Sequence, residues 1–143
     1  MKKIGIAWIL LLICLAASSS GQEKFVPVYR GAHYEVSVNQ NTLHREQKDI
    51  VSVWLRYDYT AEGKASLRSQ LPKKLPAKYR NKDIGYSMEN FLFNKKNGRY
   101  RIKMLALHDP EGNAFYREAG SRWLPVRPGT LAERIAEELA TML

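Results

Sequence analysis

YSMENFLFNKKNGRYRIKMLALH, residues 86–108, is the stretch on which the fold turns. Two alternating runs, Tyr86–Lys96 and Arg99–His108, flank Asn97-Gly98. An Asn-Gly pair between such runs is the strongest short hairpin signal, because both residues tolerate positive φ. With Asn97 and Gly98 as the two loop residues, Phe93 faces Ile102, Phe91 faces Met104 and Lys95 faces Tyr100, on one face with Ala106. Asn90, Leu92, Asn94, Arg101 and Lys103 take the other face. The first face is the more apolar and is expected to meet the core.

Upstream, Ile50–Tyr59 (IVSVWLRYDY) is the clearest strand. Val51, Val53, Leu55, Tyr57 and Tyr59 share one face, and Ser52, Trp54, Arg56 and Asp58 the other. Lys24–Arg30 and His33–Val38 are shorter strand candidates separated by Gly31 and Ala32. Pro27 lacks a ladder donor, which places the first of them at a sheet edge or a bend. Polar residues 39–49 read as a connection. Residues 60–85 read as a long loop, with a short strand or helical turn over Ala65–Leu71 and no regular structure after Pro72 and Pro76.

Downstream, Asp109–Asn113 is a turn, Ala114–Glu118 a short strand and Trp123–Val126 extended chain. Thr130 then opens a capping box with Glu133. Leu131, Ile135, Leu139 and Met142 recur at helical spacing while Glu133, Glu137 and Glu138 point away. About six strands and one closing amphipathic helix predict an α+β fold, an antiparallel sheet with the C-terminal helix packed on one face. Trp54, Trp123, Phe91 and Phe93 are expected to pack in the core.

The 143 residues are 45% hydrophobic and 26% charged, a composition that suits one domain. One cysteine excludes an intramolecular disulfide framework and a cysteine-rich zinc module. Residues 1–21 (MKKIGIAWILLLICLAASSSG) have a basic start, an apolar run and small residues, the layout of a secretory signal peptide. The apolar run is shorter than the roughly 20 residues of a membrane span. Lipid anchoring through Cys14 is not expected, since the bulky Ile13 precedes it. Residues 22–143 form the expected single exported domain, without cysteine and with 21 basic and 14 acidic side chains, a net +7.

No catalytic motif stands out. His33, His44 and His108 have no ligand-like spacing. There is no Gly-x-Ser-x-Gly, phosphate-binding glycine loop or cysteine nucleophile in the expected mature chain. No metal or cofactor is expected, nor is an enzyme. A hydrolase would require a cleft holding perturbed titratable groups.

Charge is the stronger signal. Twelve basic and two acidic residues lie between Lys64 and Lys103. One subcluster is the proline-bounded loop with Lys73, Lys74, Lys78, Arg80 and Lys82. The other is the hairpin tip with Lys95, Lys96, Arg99, Arg101 and Lys103. Converging cations concentrate acidic partners. An exported protein meets lipopolysaccharide, sulfated glycans and acidic host proteins rather than nucleic acid. Charge of this kind also serves simply to keep a surface solvated.

The order of motifs is familiar as well: Val51–Tyr59, Tyr86-Ser87 leading into a strand, Asn94–Arg101, then Trp123-x-Pro125-Val126-x-Pro128-Gly129-Thr130 and a terminal helix. Over most of residues 25–140 this resembles the surface-adhesin protein E family of Gram-negative bacteria. The resemblance implies a six-stranded antiparallel sheet with a C-terminal helix. It also implies a non-enzymatic surface protein that binds host matrix and serum proteins and can dimerise. The family's Asp-Cys falls on Asn94-Lys95, and its helix cysteine is missing near Ala140, so both halves of that disulfide are absent. The leading expectation is therefore an exported adhesin-like binding protein, periplasmic or on the cell surface, using the basic hairpin and loop. The alternative is a soluble periplasmic accessory protein that binds an envelope partner.

Overall fold

The computed structural model describes residues 23–73 and 75–143. Residues 1–22, which include the expected leader and Cys14, and Lys74 lie outside the described residues. The chain forms an antiparallel meander in which each strand pairs with the next: β1 (Phe25–Arg30), β2 (Tyr34–Gln47), β3 (Ile50–Tyr59), β4 (Tyr86–Asn94), β5 (Arg99–His108) and β6 (Ala114–Ala119). Two-residue β7 (Leu124–Pro125) also pairs with β5. Helix α1 (Ala61–Gln70) and the single turn α2 (Ala77–Arg80) lie between β3 and β4, and α3 (Leu131–Met142) closes the chain. The α+β architecture expected from the sequence is the one observed.

Alternation in β3 defines two faces. Val51, Val53, Leu55 and Tyr57 join Val36 and Val38 of β2 and Phe91 of β4 on the covered face. Ala132, Ile135 and Leu139 of α3 seal this side, and Leu139 is fully buried. Burial of side chains this size contributes roughly 1.5–3 kcal/mol each. Thr130 Oγ1 accepts the Glu133 N–H at 3.3 Å, and Glu133 Oε1 accepts the Gly129 N–H at 3.2 Å, so the helix begins where the capping pattern places it. β1 is an edge strand with a bulge between Pro27 and Tyr29, as the missing proline donor requires.

The hairpin register differs from the two-residue expectation. Asn94 Oδ1 accepts the N–H groups of Lys96 (3.0 Å) and Asn97 (3.4 Å), and only Gly98 takes a positive φ, +65°. The side chain of Asn94 therefore folds residues 95–98 into a four-residue loop. Phe91 pairs with Ile102 and Phe93 with Tyr100, a shift of two that preserves the faces. Lys95 leaves the strand, and its N–H donates to Asp49 O at 2.8 Å. Lys103 is an extra residue between Ile102 and Met104, and this bulge reverses the alternation. Met104 and Ala106 consequently lie on the uncovered face, where Met104 is exposed. At the same point the edge of β5 passes from β6 to β7, bridged by Ser121 N–H to Ile102 O at 2.7 Å.

Three further expectations are corrected. Residues 39–47 continue β2 through a bulge in which Thr42 Oγ1 donates to Asn39 O (2.7 Å) and accepts the Trp54 N–H (2.9 Å). Residues 61–70 are helical although Leu67 is almost their only large apolar side chain. Thr60 caps them by accepting the Gly63 N–H at 3.1 Å, and a Cβ on Gly63 would stand 1.8 Å from His33 O. Finally, Trp54 and Trp123 are half-buried and lie outside the core cluster; Trp54 sits on the uncovered face.

Candidate functional site

The loop between β3 and β4 enters β4 at Tyr86 and the basic hairpin leaves it at Asn94. β4 is nine residues long, a span of about 30 Å, so the loop and the hairpin tip join this strand at opposite ends. They do not form one surface. In the loop, Lys73, Lys78 and Arg80 are exposed, with the Lys78 ammonium 4.7 Å from the Tyr79 ring centre. Lys82 is engaged, its Nζ 3.7 Å from Oδ2 of buried Asp109. The Asn113 N–H, donating to Asp109 Oδ1 at 2.8 Å, and then Lys82 hold the Asp109 carboxyl below its usual range. Lys82 thus fastens the loop to the β5–β6 turn.

At the other end Lys95, Lys96 and Arg99 are exposed, as is Lys103 farther along β5 opposite the middle of β4, and none of the ion pairs among the described residues includes them. Arg101 is half-buried, with its guanidinium 6.0 Å from the Trp123 ring centre. Two cations that the linear pattern did not single out join this end. Lys48 occupies the β2–β3 turn, whose Asp49 carbonyl receives the Lys95 N–H. Arg127 follows Val126, whose N–H donates to Gly98 O at 2.9 Å. Both are exposed. A sequence signal for them was absent, because β2–β3 pairing and β7 bring them there from far along the chain. Beside this end, Thr42, His44, Glu46, Trp54, Lys103 and Met104 line an open groove of about 450 Å³ on the uncovered face. Glu46 there accepts from Ser52 Oγ at 2.9 Å.

A second concavity lies on the covered face, between α1 and α3. Tyr57 and Glu89 line both its parts, about 470 Å³ toward α1 and about 190 Å³ toward α3. Glu89 hydrogen-bonds Tyr57, and burial pushes its carboxyl above the usual range. Burial likewise raises Tyr57 well above an ordinary phenol and Tyr59 to about 12, with the Tyr59 hydroxyl 2.7 Å from Ser87 Oγ. His33 and Ser66 also line this cleft. Ser66 Oγ accepts from Gln70 Nε2 at 3.3 Å, while Glu89 is bonded to Tyr57. The position of Glu89 was readable, since alternation sets it on the same face as Phe91 and Phe93. Among the described residues no group of three or more His, Cys, Asp or Glu side chains could hold a metal ion. No helix among them is long and apolar enough to cross a membrane.

No family of known proteins, no curated protein and no solved structure matches this chain.

Proposed function

We propose that this chain is an exported, non-enzymatic binding protein of the surface-adhesin E kind that engages acidic partners through its hairpin end. The observation that carries the reading is the set of exposed cations Lys48, Lys95, Lys96, Arg99 and Arg127 gathered there, with none of the ion pairs among the described residues drawing on them. Unpaired cations presented together on a rigid sheet end attract sulfated glycans, lipopolysaccharide or acidic patches of host matrix and serum proteins. The meander with its closing helix and the leader-like residues 1–21 support the same reading.

The test is retention on immobilised heparin and on matrix proteins, for the wild type and for Lys95→Glu/Lys96→Glu/Arg99→Glu. Arg101 is left intact because it packs against Trp123. Retention should fall with added salt and be largely lost in the triple variant. Unchanged retention rejects the hairpin end as the binding surface. Protease treatment of intact cells separates surface display from a periplasmic protein that serves an envelope partner.

A further inference from the structure

We infer that the cleft between α1 and α3 is a binding site for a small organic ammonium ion, with Glu89 balancing its charge and Tyr34, Tyr57 and Tyr59 packing its apolar body. The site is distinct from the basic hairpin end and takes a ligand of opposite charge.

In a chain with net charge +9, Glu89 lies on the covered face opposite Leu55 and Leu105. Among the described residues no lysine or arginine lines either part of the cleft, and none of the ion pairs includes Glu89. Its hydrogen-bond partner among the described residues is the Tyr57 hydroxyl. A partly desolvated charge without a counter-charge costs the folded state free energy. Such a cost is characteristic of binding sites, where a ligand supplies the missing partner.

Tyrosines form the wall beside the carboxylate. Tyr34 and Tyr57 rings are centred 5.3 Å apart, Tyr34 and Tyr59 6.1 Å, and Tyr57 and Tyr59 6.4 Å. Together they give a continuous π-rich surface beside the carboxylate. Aromatic faces attract ammonium groups by about 0.5–2 kcal/mol, most when water is excluded. Leu67 of α1 and Leu105 of β5 offer apolar contact, and Ser66 and Gln70 offer polar atoms at the α1 side. A cavity of about 470 Å³ is the size of a small-ligand site. An inorganic cation would leave most of that wall unused, and an anion would face Glu89.

The experiment titrates the purified protein with choline, with n-butylammonium and with 3,3-dimethylbutanol, the neutral isostere of choline. Calorimetry gives affinity, and NMR follows the tyrosine rings. An ammonium probe should bind at millimolar concentration or below and shift the Tyr34, Tyr57 and Tyr59 signals, while the neutral isostere does not. Glu89→Gln, shown by its melting curve to be folded, should weaken ammonium binding at least about tenfold, or about 1.4 kcal/mol. Should that variant unfold, Leu67→Trp fills the cleft from α1 and should abolish binding with Glu89 intact. Affinity should also fall in acid as a proton replaces the ligand on Glu89. The other titratable groups lining the cleft among the described residues are His33, Tyr34, Tyr57, Tyr59 and Tyr100, and His33→Gln should leave that acid loss in place. Equal binding of the isostere, undiminished binding by both variants, or no binding of either ammonium overturns the inference.

Discussion

Glu89 and Gly63 show how single residues shape the covered face. Burial raises the Glu89 carboxyl, so the folded chain holds that proton more tightly than the unfolded chain does. Its contribution to stability is full below the unfolded value and is lost as pH rises through the raised folded value. Glu89→Gln, which keeps a group able to bond Tyr57, should therefore melt above the wild type at neutral pH, and the gain should vanish in acid. Thermal melts across pH 3–8 would check this. Asp109 works in the opposite direction: its lowered carboxyl adds stability above the unfolded value and loses it as pH falls through the folded one. Gly63 is required by space, because a Cβ there would strike the His33 carbonyl backbone. Gly63→Ala should push α1 outward and cost about 1–3 kcal/mol, measured by denaturant unfolding. None of this could be read from Gly63 in the sequence, where its neighbour across space is thirty residues away.

At the scale of elements, the strands and helix with strong periodicity were readable and those held by side-chain bonds were not. β3 and α3 follow their apolar stripes, since burying a stripe is what makes each element stable. Leu139→Ala should cost about 2–5 kcal/mol by emptying the fully buried seam under α3. Thr130→Ala should cost about 1 kcal/mol by freeing the first helical N–H groups. Both are checked by denaturant unfolding. The hairpin tip obeyed a different signal: Asn94 captures two loop N–H groups before Asn97-Gly98 can form the tighter turn. The bulge at Lys103 then reversed Met104 and Ala106, a change that depends on where β6 and β7 join the edge of β5. Helix α1 lacks a stripe and owes its form to the Thr60 cap and the close seat on His33.

For the molecule as a whole, the basic residues that lie close in sequence divide between two ends of the sheet. They should behave independently. Lys78→Glu/Arg80→Glu should leave heparin retention nearly unchanged, whereas Lys95→Glu/Lys96→Glu should shift elution to lower salt. Salt-gradient elution of the two variants separates these outcomes. Screening at physiological ionic strength acts over about 8 Å, so charges at opposite ends of a strand about 30 Å long do not reinforce one another. The Glu89 cleft lies on the covered face, and no lysine or arginine is among the described residues that line it, which allows a molecule with net charge +9 to retain one site for a cation.

The class of fold and the existence of the hairpin, of β3 and of α3 were legible in the residues alone, because alternation, capping and turn residues act over short stretches of chain. So was the excess of cations over acids between Lys64 and Lys103. Folding in three dimensions set which cations meet, which face Met104 takes, and that Glu89 lies among tyrosines without a basic partner among the described residues. Those outcomes depend on pairing between distant strands, on one inserted residue at Lys103 and on the gap left between α1 and α3. Contacts of that kind are set by the packing of the whole chain and leave no local pattern to read.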